Sequence, residues 1–545
     1  MKRREYVVTV KKDANWEELN TELTTDTTAD ASVDSSIIPD REVTATELRS
    51  ANTRNTEYKL SDDEATALKA DPRIISVQKI SDIGVPEIGL YQDGQDGSSF
   101  NKNTTDSGNQ DNWGLIRHIS ETNNFGTSKN DPGDTYDYVL DGTGVDVVIM
   151  DTGIQADHPE WEDADGVTRL KQIDWSTTYT GSSYTQQGNT YTDIHGHGTH
   201  CAGIVAGKTF GWAKNSRIYS IPINGGNGAD VGSSKIFDVV KDWHNAKTGS
   251  DANRPTVVNM SFGFIWYLDT NYTPNRIYGT STTFTGGSYR GSAHSDQNRG
   301  DITGLRGGTT GYSNVYKYGK HISSINADID QMISAGIHVV IAAGNGYMKQ
   351  DLSGGNDFNN YLQLSTGSDP YVYYHRGGSP SGYECGDSWR SNTSAPSIDD
   401  NNAINVGALD NSSYSSTLDQ KVNFSDTGPG VDLYAAGDHI ASSCSNTNAI
   451  GGTTYSLNSS YKQCRISGTS MAAPQIAGMV ACLLQAHPDW SPATVKKWFL
   501  HNATDKIRTT GNDNDYTTGN SILGGTQKVA YFPMNGRLPF SWSSS

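Results

Sequence analysis

Short apolar runs alternate, through the middle of the chain, with segments in which apolar residues recur every three or four positions. The runs have the length and composition of buried strands and lie at 145–150, 217–223, 256–260, 338–343 and 403–408. Helices are predicted between them at 200–207, 235–243 and 321–335. Strands that alternate with helices predict an α/β fold, a doubly wound parallel sheet with helices on both faces.

A different pattern precedes this region. Residues 6–10 and 74–77 are predicted strands, and residues 16–23 are a predicted helix. Ser61-Asp62-Asp63-Glu64 is a capping box that begins a second helix. We therefore expect residues 1–90 to form a small N-terminal α+β domain.

Polar stretches divide the rest of the chain. Residues 91–111 are rich in Gly, Asp, Ser, Asn and Thr, which is typical of a linker. Residues 112–510 are expected to form the large α/β domain, with insertions at about 264–318 and 346–402 that are long enough to rim a cleft or dock onto another protein. Residues 511–545 form a tail to which the sequence assigns no role.

Ser470 follows a Gly-Thr turn and precedes a run of small and apolar residues at helical spacing. In the first turn of a buried helix, free backbone N–H groups and the positive end of the helix dipole favour a developing negative charge. Ser470 is therefore a candidate nucleophile. A serine that only caps the helix is the alternative.

Three polar residues upstream are candidate partners of Ser470. Asp151 ends the apolar run at 145–150, where a carboxylate would face the crevice at the carboxyl edge of the sheet. His197 lies in a glycine-rich turn before a helix of small residues. Asn345 follows the run at 338–343, and an amide at a strand end can donate to an oxyanion.

Together these motifs resemble those of the subtilisin-like serine peptidases, the subtilases. The matching segments are Asp-Thr-Gly-Ile at 151–154, His-Gly-Thr-His at 197–200, Ala-Gly-Asn at 343–345 and Gly-Thr-Ser-Met-Ala-Ala-Pro at 468–474. Cys201, just after the histidine motif, makes the chain most similar to the proteinase K branch. The resemblance implies peptide-bond hydrolysis through an acyl-enzyme, catalysed by Asp151, His197 and Ser470.

The resemblance implies further roles. Asn345 and the backbone N–H of Ser470 would form the oxyanion hole. An extended substrate would bind as an added strand, and the residues that would contact it are Ser261, Phe262, Gly263, Ala343 and Gly344. Residues 1–90 would be an inhibitory propeptide, removed by self-cleavage after Leu90 or Tyr91. An unrelated accessory domain is the alternative for this region.

The composition limits the partners. The 545 residues have a formal net charge of −19, which argues against nucleic acid as a main partner. No run reaches the roughly 18 apolar residues of a membrane span, and the N-terminus has no apolar signal segment. We therefore expect polypeptide substrates and the chain's own propeptide as partners, and an intracellular or virion-associated location.

The expected chemistry requires no cofactor. Some relatives place a calcium ligand at the position of Asp432, so a structural calcium is expected there, with a surface carboxylate as the alternative. Cys444 and Cys464 bracket a predicted hairpin and could form a disulfide across it. No zinc site is expected around His195 and His200, because no acidic or cysteine ligand lies at a suitable spacing.

Two other functions stay open. A structural or assembly component, for example of a virus particle, could retain this fold for docking, although the intact catalytic positions count against it. An esterase or peptide ligase could use the same triad.

Overall fold

The computed structural model describes the following residues: 3–25, 38, 43–48, 54–80, 112–123, 138–173, 192–223, 235–263, 265–269, 276–277, 283–289, 292–294, 315–319, 322–346, 349–352, 354–355, 358, 361–365, 371–373, 402–411, 415, 417–447, 450–508 and 521–533. The expected linker and both proposed cleavage positions lie outside the described residues, as does Cys385.

The N-terminal α+β unit has a four-stranded antiparallel sheet in the order β2-β3-β1-β4. Its elements are β1 (Arg4–Val10), α1 (Trp16–Thr24), β2 (Ala45–Leu48), β3 (Asn55–Leu60), α2 (Asp62–Leu68) and β4 (Ile74–Lys79). The predicted capping box is present, since the Ser61 side chain accepts from the Glu64 N–H and the Glu64 carboxylate accepts from the Ser61 N–H.

The central sheet of the large unit has nine strands in the order β22-β23-β18-β17-β14-β8-β5-β7-β6. They are β5 (Asp146–Asp151), β6 (Leu170–Lys171), β7 (Arg217–Pro222), β8 (Thr256–Met260), β14 (His338–Ala342), β17 (Ile404–Leu409), β18 (Leu433–Ala436), β22 (Thr504–Asp505) and β23 (Lys528–Val529). All neighbours pair in parallel except β22 and β23. The strand order reverses direction at β5: β7 lies on one side of it and β8 on the other. Ligands of such sheets bind where the order reverses, so the crevice lies at the carboxyl ends of β5 and β8.

Both faces of this sheet are covered, because successive residues of one strand enter different cores. Val147 and Ile149 of β5 belong to one core, and Val148 and Met150 belong to the other. The first core contains residues of α4 (His197–Ala206), α7 (Thr469–Ala486) and α8 (Pro492–Asn502). The second contains residues of α5 (Lys235–Asn245) and α6 (Ser323–Ser334). The α/β fold with a doubly wound, mostly parallel sheet is confirmed.

Smaller sheets lie outside this framework. The strands β19 (Ile440–Cys444), β20 (Thr453–Thr454) and β21 (Lys462–Ile466) form a hairpin sheet that leads into α7. The expected insertions contain the strands β9 (Ile265–Asp269), β10 (Arg276–Ile277), β11 (Phe284–Tyr289), β12 (Ser292–His294), β13 (Val315–Gly319), β15 (Tyr361–Leu364) and β16 (Tyr371–Tyr373). A short helix, α3 (Gly114–Arg117), precedes the central sheet.

Part of the expected tail belongs to the large unit. Ile522, Val529 and Phe532 are buried in the first core, and β23 pairs with β18 through Val529 and Tyr434. His118, just after α3, contacts the Ala530 carbonyl at 2.8 Å, and the Phe532 N–H donates to the His118 carbonyl. Residues 521–533 therefore complete an edge of the central sheet.

The N-terminal unit docks on α6. The Asn55 side chain donates to the Ser324 carbonyl and to the Asp328 carboxylate, both at 2.9 Å, and Arg54 pairs with Asp330 at 3.0 Å. Val7 of β1 is buried in the second core of the large unit. None of the described helices combines the length and apolar character needed to cross a bilayer.

Candidate active site

Asp151 and His197 meet at the carboxyl edge of the sheet. Asp151 is the last residue of β5, and His197 is the first residue of α4. Both are fully buried, and His197 Nδ1 lies 2.6 Å from Asp151 Oδ1. Asp151 Oδ1 also accepts from the Thr152 N–H at 2.8 Å. The carboxylate therefore fixes the orientation of the imidazole.

Ser470 is the second residue of α7, and its side chain reaches the end of β8. Its Oγ donates to the Ser261 carbonyl at 3.1 Å, and the Ser261 hydroxyl donates to the Ser470 carbonyl at 3.0 Å. His197 Nε2 is buried and makes no hydrogen bond with any described residue. The Cys201 sulfur lies between the His197 ring and the backbone of Ser470, 3.8 Å from His197 Nδ1 and 3.4 Å from the Ser470 carbonyl oxygen.

The Asn345 amide has a defined orientation beside Ser470. Its Oδ1 accepts from the Thr469 N–H at 2.8 Å and from the Thr469 hydroxyl at 2.9 Å. The same hydroxyl accepts from the Gly344 N–H at 2.9 Å. Because both Thr469 donors bind the amide oxygen, the amide nitrogen is on the opposite side, next to Gly468.

The five predicted substrate-binding residues lie on two adjacent segments. Ser261, Phe262 and Gly263 follow β8, whereas Ala343 and Gly344 follow β14. Since β8 and β14 are parallel neighbours, both segments leave the same edge of the sheet. The structure thus brings together the candidate triad, Asn345 and these segments at the crevice between β5 and β8.

Three potential metal-binding side chains lie close together in this region: Asp151, His197 and Cys201. Burial raises the pKa of the Cys201 thiol well above its ordinary value, and the neighbouring Asp151 carboxylate raises it further. Cys201 is therefore a neutral thiol rather than a nucleophilic or metal-binding thiolate. The cluster is explained by the Asp151–His197 pair packed against a core cysteine.

Asp432 does not fit the expected calcium site. Its Oδ2 lies 2.8 Å from Lys496 Nζ and accepts from the Asn405 N–H at 2.8 Å. Lys496 Nζ also donates to the Ala403 carbonyl at 2.8 Å. An ammonium group therefore occupies the space between a carboxylate and a carbonyl that a calcium ion would need. This ion pair disfavours a metal role for Asp432, which stays a prediction.

Cys444 and Cys464 are buried thiols that are not joined in a disulfide in this structure. In the hairpin register, Cys464 faces Ser442 and Cys444 faces Lys462, so the cysteines are diagonal neighbours. Their side chains are in contact, and a disulfide between them stays a prediction. Burial and the neighbouring Cys444 raise the pKa of Cys464.

The structure adds residues that the sequence did not indicate. Asp193 is buried and accepts hydrogen bonds from both sides of His197. Thr469 orients the Asn345 amide. Lys496 forms an ion pair with Asp432. Asp193 is four residues before His197, but an aspartate in a polar loop is indistinguishable from a turn residue by sequence alone. Thr469 had a usable signal, since it immediately precedes the candidate nucleophile.

Known proteins were compared with this chain. A cuticle-degrading serine protease of Arthrobotrys oligospora is 27% identical over 399 residues, which cover 73% of this chain and 63% of that protein. A subtilisin-like serine protease of Cochliobolus lunatus, Cur l 4.0101, is 27% identical over 379 residues, which cover 69% of this chain and 50% of that protein. The chain thus spans about half to three fifths of the length of these relatives.

The solved structure of fervidolysin from Fervidobacterium pennivorans, described as a keratinolytic enzyme related to subtilisin, shares the fold. Its TM-score is 0.50 at 17% identity, and the match covers 98% of this chain and 61% of that structure.

These comparisons correct one expectation. The curated relatives are secreted extracellular proteases of fungi, so the expected intracellular or virion-associated location is wrong.

The subtilase family model matches residues 142–520, a range that contains Asp151, His197, Asn345 and Ser470. The match covers more than half of the chain, and the chain belongs to the subtilase family.

Proposed function

We propose that the protein is a serine endopeptidase that hydrolyses peptide bonds through an acyl-enzyme. The observation that carries this proposal is the 2.6 Å contact between buried His197 and Asp151, in a site where Ser470 is the second residue of a buried helix. Membership of the subtilase family and the serine protease relatives support it. Subtilases need no cofactor for their chemistry.

In the proposed reaction, Ser470 Oγ turns from the Ser261 carbonyl toward His197 Nε2 and attacks the substrate carbonyl. His197 accepts the hydroxyl proton and then gives it to the leaving amine. Asp151 holds Nδ1–H and stabilises the imidazolium. A water molecule then attacks the acyl-enzyme. His197 accepts a proton from this water and gives it to Ser470 Oγ as the carboxylic acid product leaves.

The oxyanion would be bound by the Asn345 amide nitrogen and the Ser470 N–H. The Thr469 contacts support this role, because they hold the amide oxygen and leave the nitrogen on the other side. A donor that is oriented before the reaction stabilises the transition state without a reorganisation cost. The segments after β8 and β14 would bind the substrate main chain.

The N-terminal unit is proposed to be an inhibitory propeptide. Its support is the docking on α6 through Arg54 and Asn55, together with the family's usual organisation as a zymogen. In this proposal, residues 1–90 are the inhibitor, and residues 91–111 connect it to the peptidase, with self-cleavage after Leu90 or Tyr91. Residues 112–510 are the peptidase, and residues 521–533 complete an edge of its sheet.

The test compares the wild type with Ser470→Ala and with Ser456→Ala, which alters an exposed serine of the hairpin sheet. Each protein is incubated near pH 8, its intact mass is measured, and it is then treated with a serine-reactive fluorophosphonate. We expect only the wild type and Ser456→Ala to be labelled and to lose the N-terminal segment.

The two readouts separate the parts of the proposal. Labelling without cleavage would retain the peptidase and reject the self-processing. No labelling of the wild type would contradict the peptidase and favour a docking scaffold. Labelling of Ser470→Ala would reject Ser470 as the nucleophile.

A further inference from the structure

Asp193 is a buried carboxylate outside the proposed triad, and five hydrogen-bond donors surround it. Its Oδ1 accepts from the Thr152 hydroxyl at 2.9 Å, the Gly196 N–H at 2.7 Å and the His195 N–H at 3.1 Å. Its Oδ2 accepts from the Thr199 N–H at 2.9 Å and the Thr199 hydroxyl at 2.7 Å. Asp193 is only 1% exposed, and all five donors are neutral groups. Both oxygens of the Asp193 side chain are therefore held by more than one donor.

These contacts lie on both sides of the proposed base. Gly196 precedes His197 with a left-handed φ of 94°, which a residue with a side chain rarely adopts. Gly196 has no side chain that could cap α4, and Asp193 instead binds the N–H of Thr199, the third residue of the helix. Asp193 therefore caps the helix from outside and fixes the turn that carries the imidazole.

The same carboxylate ties this turn to the strand that carries Asp151. The Thr152 hydroxyl donates to Asp193 and accepts from the Gly198 N–H at 2.8 Å. A Cβ on Gly198 would collide with the Gly153 carbonyl and lie 3.1 Å from Asp151 Cβ. The strand end and the helix start are therefore as close as glycine allows, and Asp193 and Thr152 hold them there.

The charge of Asp193 also acts on this region. It favours the protonated form of His195, although burial dominates and lowers the pKa of that residue. The other titratable groups around His197 are Asp151 at the end of β5 and His200 and Cys201 on its own helix. Asp193 and Asp151 are thus the two carboxylates that these contacts place at the start of α4.

We propose that Asp193 is a positioning residue for the general base: it fixes the turn and the helix start that carry His197, and so sets the imidazole against Asp151. This inference rests on the proposed peptidase function. The Asp193→Asn variant keeps the size of the side chain, removes the charge and replaces one acceptor with a donor that faces N–H groups.

The experiment measures kcat and KM for a short chromogenic peptide from pH 5 to pH 9, with active sites counted by fluorophosphonate labelling. For Asp193→Asn we expect kcat per active site to fall on the order of 10- to 100-fold, with KM nearly unchanged, because the base is misplaced.

The control is Asp157→Asn, which removes the same charge from an exposed site, and it should leave both readouts unchanged. A purely structural role for Asp193 would reduce the number of labelled sites and the melting temperature but would leave kcat per labelled site unchanged. A kcat per labelled site in Asp193→Asn equal to that of the wild type would overturn the proposal. If the wild type is not labelled, the proposed function itself fails, which is a separate outcome.

A second variant covers the case in which Asp193→Asn does not fold. Thr152→Val removes the hydroxyl that joins Asp193 to β5 and keeps the charge. We expect kcat per active site to fall about 10-fold, with little change in KM. A kcat equal to that of the wild type would then overturn the positioning role.

Discussion

The hydroxyl of Thr469 connects two parts of the proposed oxyanion site. It accepts from the Gly344 N–H and donates to Asn345 Oδ1, both at 2.9 Å. The Thr469 N–H gives the amide oxygen a second donor. The direction of the Asn345 amide is thus set by a residue that would not itself touch the substrate.

We therefore predict that Thr469→Val lowers kcat by roughly 10-fold with little effect on KM. The loss should be smaller than the 10²- to 10³-fold expected when an oxyanion donor is removed, because the Thr469 N–H still binds the amide oxygen. Steady-state kinetics on a peptide substrate, with active sites counted, would measure it. Thr453→Val, in the exposed strand β20, is the matched control. A Thr469→Val enzyme as fast as the control would contradict the prediction.

At the scale of single residues, the sequence indicated the functional residues that lie next to predicted strands and helices. It missed those whose role depends on partners far away in the sequence. Asp151, Asn345 and Ser470 end strands or begin a helix, so hydrophobic pattern and motif located them. Asp193 lies in a polar loop, and its function depends on contacts with Thr152 that no local pattern contains. The assigned roles of all these residues stay predictions until variants are measured.

At the scale of elements, His118 joins three of them. It follows α3, its Nδ1 lies 2.8 Å from the Ala530 carbonyl after β23, and its Nε2 accepts from the Ala436 N–H of β18 at 2.9 Å. Nε2 accepts a hydrogen bond, so the ring is neutral. Burial and the neighbouring Arg117 lower the pKa of His118 from 6.5 to about 3.

This lowered pKa predicts a loss of stability in acid. Below about pH 6.5 the unfolded chain binds a proton at His118 that the folded protein excludes, so this contribution is present above pH 6.5 and is lost as the pH falls toward 3. The slope is about 1.4 kcal/mol per pH unit. We expect His118→Gln to melt at a lower temperature at pH 7.5, yet to lose less of its melting temperature between pH 6.5 and pH 4.5.

Thermal unfolding across that pH range is the measurement, and His501→Gln, at an exposed position, is the control. If the melting temperature of His118→Gln falls with decreasing pH as steeply as that of the control, the His118 ring does not cause the loss of stability in acid. Buried His200 and His338, each with a pKa lowered to about 3 mainly by burial, should keep part of the slope in every variant.

The central strands β5, β7, β8, β14 and β17 were predictable because each is five or six residues long and rich in apolar residues. In contrast, β23 has two residues and β18 has four, and such short segments have no periodicity to detect. For this reason, the sequence assigned no role to residues 511–545. The contacts of this tail with β18 and His118 depend on tertiary structure alone.

On the scale of the whole molecule, the ammonium group of Lys496 links the helix layer to the sheet. It joins α8 to Asp432 and to the Ala403 carbonyl, and both partners of the ion pair are 13% exposed. We expect Lys496→Met to lower the free energy of unfolding by about 1–3 kcal/mol, because it leaves the Asp432 carboxylate without its cation. Lys497→Met, on the exposed side of the same helix, should have little effect.

The same variant tests the reading of Asp432. With the ammonium removed, added calcium should raise the melting temperature of Lys496→Met more than that of the wild type, because the carboxylate and the carbonyl become available to a cation. Unfolding scans in calcium and in a chelator would measure the difference. An equal response in both proteins would argue that Lys496 does not take the place of a metal ion.

The pairing of β23 with β18 has a consequence for biosynthesis. A ribosome makes the chain from its N-terminus, so all four strands of the N-terminal unit have been translated by Lys79. The last strand of the central sheet, and the carbonyl that His118 requires, are translated after Ser470. The nascent chain thus has the proposed inhibitor before it can complete the proposed active site. The order of translation itself would protect the producing cell while the enzyme is being made.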